Sequence, residues 1–105
     1  MIMRRPEKLE IIRQVLKQVV PEAEVILYGS EARGDARPDS DFDLLILIPE
    51  DNVSPDRLEE ITYPLLSLLW ENGIDVSPMV RSKSFWDNHV PTPFYYNVLN
   101  EGIRL

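Results

Sequence analysis

The chain has 105 residues, a net charge of -7, no cysteine and 44% hydrophobic residues. This length predicts one domain over residues 1–105 with a single core, and leaves no room for a separate substrate-binding domain. The missing cysteines exclude disulfides and thiolate metal sites, and the acidic charge disfavours a general nucleic-acid binder. The N-terminus lacks the apolar region of a secretory signal and the longest apolar run, 44–48, cannot span a bilayer, so we expect a soluble, cytoplasmic protein.

The first half of the chain is predicted to form a helix over 6–20, a strand over 24–28, a short helix over 30–33 and a strand over 41–48. The long helix follows from apolar residues at helical spacing, and Pro21 ends it. The sequence DFDLLILI at 41–48 is apolar on both faces after Asp43. This pattern is typical of a central strand that is buried on both sides.

The second half is predicted to form a helix over 54–70, a strand over 74–80, a helical turn over 85–88 and a helix over 92–101. Ser54 caps the first of these helices, and Gly73 ends it. Pro64 is expected to kink or split that helix near 62–63. Because Pro78 cannot donate to a ladder, its strand is expected at an edge. The order predicts an α/β (α+β) domain with a small mixed sheet and packed helices.

Gly29 and Ser30 follow the first strand. Glycine lets a backbone approach a ligand closely, and the free N–H groups of a helix that begins at Ser30 would face a phosphate. A Gly–Ser pair after a strand is more often an ordinary turn, so the pair alone does not define a site.

Asp41 and Asp43 begin the central strand. Side chains alternate along a strand, so both carboxylates point to one face and Phe42 to the other. Adjacent carboxylates repel unless a cation lies between them, and hard oxygen ligands suit Mg²⁺. The alternative is an exposed acidic strand end. A calcium-binding EF-hand loop could use Asp39, Asp41, Asp43 and Glu50, but Leu44 stands where that loop requires glycine.

Asp75 is a lone acid between Ile74 and Val76 on a predicted strand, a position that usually faces solvent. If its strand lies beside the central one, Asp75 would join Asp41 and Asp43. Three clustered carboxylates can hold two metal ions for in-line phosphoryl displacement.

Taken together, these features resemble the DNA polymerase beta-like nucleotidyltransferase superfamily. The run LYGSEARGDARPDSDFDLLIL at 27–47 is similar to the minimal nucleotidyltransferases, and PFYYNVLNEGIRL at the C-terminus also resembles theirs. The resemblance implies the nucleotidyltransferase fold. It also implies Mg²⁺-dependent transfer of a nucleoside monophosphate, AMP from ATP, to a hydroxyl, with two metal ions.

The resemblance assigns roles to individual residues. Gly29 and Ser30 would bind the terminal phosphates of the nucleotide, Asp41 and Asp43 would bridge the metals, and Asp75 would bind the metal that activates the acceptor hydroxyl. Two further residues remain open. Arg33 either steadies a phosphate or forms a surface salt bridge, and Ser40 either orients Asp41 or caps a turn.

Minimal nucleotidyltransferases of this kind are commonly antitoxins of a helical HEPN-domain RNase toxin, which they neutralise by adding AMP to a tyrosine or by binding. The resemblance therefore implies a toxin partner in a hetero-oligomer, although a homo-oligomer is also open. The alternatives are a binding antitoxin without catalysis and transfer to a small molecule of the aminoglycoside type. The tail over 94–105 carries adjacent aromatic residues that suit docking to a protein, unless it packs on its own sheet.

Two other side chains are candidates. Lys83 could meet a triphosphate, and His89, which is the single histidine, is expected to be structural because no partner motif accompanies it.

Overall fold

The computed structural model describes residues 5–37, 40–88 and 92–105. The elements in chain order are α1 (Arg5–Val19), β1 (Glu24–Tyr28), α2 (Ser30–Arg33), β2 (Phe42–Ile48), α3 (Pro55–Glu71), β3 (Val76–Ser82), α4 (Lys83–Asp87), α5 (Pro93–Glu101) and β4 (Ile103–Arg104). Part of the expected loop over 34–40 lies outside the described ranges. The candidate residues Asp39 and His89 lie outside them entirely.

The strands form one mixed sheet in the order β3-β2-β1-β4. β1 is antiparallel to β2 and to β4, whereas β2 and β3 are parallel. β2 is an interior strand and β3 is an edge strand, as the apolar run over 44–48 and Pro78 predict. The expected α/β (α+β) architecture with a small mixed sheet is confirmed.

The sheet carries helices on both faces. α1 and α3 cover one face, where Phe42, Leu44, Ile46 and Ile48 of β2 pack into the larger core. Leu45 and Leu47 point to the other face and pack with Trp86 of α4 and Val98 of α5. Each fully buried aliphatic side chain contributes about 1.5–3 kcal/mol, so β2 anchors both layers.

Helix α3 continues through Pro64, so the alternative that it splits near 62–63 is wrong, and the alternative of a kink stays a prediction. Proline removes one backbone hydrogen bond. Ile61, Leu65 and Leu69 are fully buried on the inner face, and this packing sustains the helix across the missing bond. Gly73 ends the element as predicted, with φ of 72°.

The C-terminal strand β4 was not predicted. Leu27 pairs with Ile103, and the Leu105 N–H donates to the Val25 carbonyl at 3.0 Å. A two-residue strand carries too little pattern to be recognised in a sequence. This pairing corrects the expectation that the whole tail is available for docking, because its last residues complete the protein's own sheet. Phe94, Tyr96 and Leu99 nevertheless remain exposed.

No helix in the described part of the chain combines the length and the apolar character needed to cross a membrane.

Candidate active site

Gly29 lies against Asp43 at one end of the sheet. Tyr28, the last residue of β1, pairs with Asp43 near the start of β2, so the chain turns at Gly29 beside that carboxylate. Gly29 has φ of 76° and ψ of -157°, a region that is essentially restricted to glycine. A Cβ atom at this position would overlap Oδ2 of Asp43. The glycine is thus required by backbone conformation and by the close approach of the carboxylate.

Asp41 and Asp43 lie together on the face opposite Phe42. Phe42 is buried in the core under α1 and α3, as the alternation of strand side chains predicts. Burial, and then the charge of Asp41, raise the pKa of Asp43, while the charge of Arg33 lowers it. The charges of the two carboxylates therefore repel each other, and the ionised form of Asp43 is disfavoured.

The backbone of Asp75 lies beside the backbone of this pair. The Phe42 N–H donates to the Asp75 carbonyl at 3.1 Å, which sets Asp75 beside the start of β2. Its carboxylate is exposed and makes no hydrogen bond or ion pair to a residue that the structure describes.

The expected group of three carboxylates is not assembled. Within the described ranges, no set of three or more acidic or histidine side chains could hold a metal ion. Asp75 precedes the first residue of β3, so the strand ladder does not fix its side chain relative to Asp41 and Asp43.

Ser77 contacts the site but was missed by the sequence reasoning. Its hydroxyl donates to Oδ2 of Asp41 at 3.2 Å. Ser77 pairs with Asp43 in the parallel ladder, so it lies on the strand next to the two carboxylates. The signal was its position on the predicted strand over 74–80, two residues after Asp75.

Tyr28 is a second neighbour that was missed. Burial, followed by the charge of Asp43, raises the pKa of its hydroxyl, and Arg81 lowers it. The Tyr28 ring meets the Phe94 ring edge-on with centroids 5.4 Å apart. Its signal in the sequence was its place immediately before Gly29, at the end of a strand next to Asp43.

Ser30 begins the four-residue helix α2 beside Gly29. The N–H groups of Ala32 and Arg33 donate to the Gly29 carbonyl, and those of Ser30 and Glu31 make no backbone hydrogen bond within the described residues. Glu31 is buried, and its Oε2 lies 3.5 Å from Nε of Arg5 in α1. This ion pair fixes α2 to the first helix and so holds the Gly29–Ser30 turn in place.

The cations considered for phosphate binding already have partners. Arg33 contacts Asp35 at 3.2 Å and Glu101 at 3.3 Å, so its surface salt-bridge alternative describes this structure. Lys83 contacts Asp87 at 2.7 Å and Glu24 at 3.4 Å.

Ser40 and the hypothetical calcium-binding loop each lie in a distinct local structure. The Ser40 hydroxyl accepts the Arg37 N–H at 2.9 Å, so it closes a turn. The second half of the hypothetical EF-hand loop is strand β2, whose extended backbone cannot wrap around an ion.

The site combines a glycine turn, two interacting carboxylates and a neighbouring aspartate at one end of a mixed sheet. The chain matches the family model of the nucleotidyltransferase domain over residues 9–84, and it belongs to that family. The enzyme class expected from the resemblance is confirmed.

Individual relatives agree with this assignment. A protein from Methanocaldococcus jannaschii, provisionally named a protein adenylyltransferase, is 33% identical over 74% of this chain and 72% of its own length. A relative from Haemophilus influenzae with the same provisional name is 40% identical over 53% of this chain and 51% of its own length. A bifunctional uridylyltransferase/uridylyl-removing enzyme from Azospirillum brasilense is 36% identical over 56% of this chain, but only 6% of that enzyme is matched.

Two solved structures share the fold. The crystal structure of a toxin-antitoxin with AMP-PNP has a TM-score of 0.62 at 20% identity, over 90% of this chain and 69% of the other. A structure from Sulfolobus solfataricus, provisionally described as a nucleotidyltransferase, has a TM-score of 0.58 at 20% identity, over 92% of this chain and 80% of the other. The expected nucleotidyltransferase fold is confirmed.

Proposed function

We propose that this protein transfers a nucleoside monophosphate, AMP from ATP, to a hydroxyl group of a partner protein. The observation that carries the proposal is the contact of Gly29 with Asp43, beside Asp41, in a member of the nucleotidyltransferase domain family. Because Gly29 has no side chain, the turn that would bind the triphosphate lies directly against the carboxylate of Asp43.

The donor set of the site fits a magnesium ion. Asp41 and Asp43 offer hard oxygen ligands, and their mutual repulsion is relieved by a divalent cation between them. Mg²⁺ commonly takes only one or two carboxylates and completes its shell with waters and substrate phosphates. When bound, it would neutralise triphosphate charge and activate the acceptor hydroxyl. A second ion would need Asp75, whose exposed carboxylate is free to turn.

Other residues of the site bind the nucleotide and orient the carboxylates. Gly29 and Ser30 bind the terminal phosphates through backbone N–H groups and the Ser30 hydroxyl. Ser77 orients Asp41 through its hydrogen bond. In the reaction, the acceptor oxygen forms a bond to the α-phosphorus, the bond to the β-phosphate oxygen breaks, and pyrophosphate leaves. The acceptor hydroxyl gives its proton to water. A nucleoside triphosphate substrate is consistent with a cytoplasmic protein.

A protein acceptor is supported by the names of the two relatives as protein adenylyltransferases. A toxin partner is supported by the toxin-antitoxin structure with AMP-PNP. We propose that the partner is a helical HEPN-domain RNase and that this chain is its antitoxin. An acidic chain with a net charge of -7 suits a basic partner.

Thermal unfolding tests the site directly. Mg²⁺ with ATP is expected to raise the melting temperature more than either alone, because the metal is bound partly by triphosphate oxygens. Asp43→Asn should remove this synergy. UTP serves as the comparison nucleotide, since one relative is a uridylyltransferase. Equal stabilisation of the wild type and Asp43→Asn would refute the proposed site.

The second candidate is an antitoxin that works by binding alone, for which the toxin-antitoxin neighbour is equally good support. Co-expression with the product of the adjacent gene separates the two. Catalytic neutralisation is lost in Asp41→Asn/Asp43→Asn, whereas neutralisation by binding survives it. Transfer to a free aminoglycoside without any protein complex would support the small-molecule alternative.

A further inference from the structure

The outer face of α3 carries aromatic and apolar side chains that the fold does not use. Tyr63 and Trp70 are 73% and 71% exposed, and Leu66 lies between them along the same face. These three residues line a groove of about 450 Å³. Exposed aromatic groups of this size at one site mark an interaction surface rather than ordinary surface scatter.

The same face is acidic. A second groove, lined by Asp56, Glu59 and Glu60, shares Tyr63 with the first. Helical spacing places Asp56, Glu59, Tyr63 and Trp70 on one stripe about 20 Å long. We call this surface the α3 stripe.

No cation of α3 neutralises the stripe. Arg57 is the helix's one basic residue, and it is held by Glu22, by Glu50 at 2.9 Å and by Glu60 at 3.5 Å. Asp56 and Glu59 form no ion pair with any residue that the structure describes. The stripe therefore presents unpaired negative charge next to two exposed aromatic rings.

The negative charge of the α3 stripe determines which kind of partner can bind there. A nucleic acid or an anionic membrane would be repelled. A second copy bound by two-fold symmetry would bring the acidic stripe against itself. A cationic segment with apolar residues fits both properties, because lysine and arginine pair with carboxylates and also bind the faces of tyrosine and tryptophan.

The groove also reaches the candidate active site. Asp75 also lines it, and the Asp75 carbonyl accepts the N–H of Phe42, the residue between Asp41 and Asp43. We propose that the α3 stripe is the docking surface for a cationic, amphipathic segment of the acceptor protein, which it holds with the acceptor hydroxyl near Asp75. The acceptor role rests on the proposed function; the binding of such a segment does not.

The test uses a defined probe, an amphipathic helical peptide with lysine on one face and leucine on the other. Its binding is followed by backbone NMR shifts of the protein and by Trp70 fluorescence. Trp70→Ala is expected to weaken binding by more than about tenfold, as for a central interface tryptophan. Glu59→Lys should weaken it by roughly three- to tenfold at low salt.

Matched variants on other surfaces control for general effects. Glu7→Lys makes the same charge change on exposed α1, and Tyr96→Ala removes an exposed ring from α5; both should leave affinity within about twofold, as expected outside the contact region. The proposal is overturned if shifts centre on Phe94–Tyr96, if the matched variants weaken binding equally, or if spermine binds as tightly as the peptide. The last result would mark a site for small polyamines.

Asp43→Asn separates this proposal from the proposed function. It should abolish the joint stabilisation by Mg²⁺ and ATP but leave peptide affinity unchanged. If the wild type shows no such stabilisation while the peptide still binds the α3 stripe, the transferase proposal fails and the binding surface stands. If the nucleotide stabilises the wild type but the peptide does not bind the stripe, the docking proposal fails alone.

Discussion

At the scale of single residues, the site depends most on Gly29. Its φ of 76° and ψ of -157° cost about 1–3 kcal/mol for a residue with a side chain. Gly29→Ala must also displace the carboxylate of Asp43. We expect a loss of about that size in the free energy of unfolding, measured with urea, together with loss of the thermal stabilisation by Mg²⁺ and ATP.

Gly34→Ala is the matched control for this substitution. Gly34 also has a positive φ, 85°, but no atom of the described residues lies within 4 Å of an added Cβ. Its replacement should cost about 1–2 kcal/mol and preserve the nucleotide effect. If both variants keep that effect, the close approach at Gly29 has no role in binding.

Asp43 makes stability depend on pH. Folding raises its pKa above the ordinary value of 3.8, so the ionised group destabilises the folded chain. Stability from this group is therefore lost as pH rises from 3.8 through the raised pKa, and the loss is complete above it. Asp43→Asn should be more stable than the wild type at pH 7, with an advantage that shrinks towards pH 4.

Urea unfolding at several pH values between about 4 and 7 measures this difference. Asp75→Asn is the comparison, since its exposed position should keep the change within about 0.5 kcal/mol. A pH-independent difference between wild type and Asp43→Asn would contradict the raised pKa.

At the scale of elements, α2 depends on its ion pair with α1. Arg5→Met would leave the buried carboxylate of Glu31 unpaired, at a cost of about 1–3 kcal/mol in unfolding free energy. Arg5→Met/Glu31→Met should recover most of that loss because no charge stays buried. A double-mutant cycle in urea provides the measurement, and strict additivity of the two substitutions would argue against the pairing.

Most elements could be predicted from local patterns, and the failures have physical causes. The alternation around Phe42 and the apolar run after Asp43 indicate β2, its interior place and the shared face of Asp41 and Asp43. The prediction that Pro64 splits α3 failed because the packing of the inner face of this helix depends on the tertiary structure. β4 depends on pairing with β1, a contact between distant positions that no local pattern contains.

The site also combines features that local sequence patterns indicate with features that depend on contacts between distant positions. Gly29 and Asp43 could be found because their residue types are tied to backbone position and strand alternation. The partner Glu101 of Arg33 could not be found from the sequence, because it lies 68 residues away along the chain. For Asp75, the sequence could predict a strand beside that of Asp41, but not the position of the carboxylate. The exposed side chain of Asp75 is not fixed by the strand ladder.

At the scale of the whole molecule, the acidic charge is complementary to the proposed basic acceptor protein. The net charge of -7 and the acidic α3 stripe would speed association with such a partner at low salt. The association rate should fall steeply as the ionic strength rises from about 0.05 to 0.3 M, where the Debye length shortens. A rate that does not depend on salt, measured by surface plasmon resonance, would contradict electrostatic steering.

In the proposed function, Asp41 and Asp43 support transfer of AMP to a partner protein. The most direct measurement incubates the purified wild type with the adjacent gene product, Mg²⁺ and ATP labelled at the α-phosphate, and then determines the label and the intact mass of the partner. We predict a partner that carries one or more labelled AMP groups, pyrophosphate in equal amount, and no transfer by Asp41→Asn/Asp43→Asn. An unlabelled partner, or equal labelling by that variant, would contradict it.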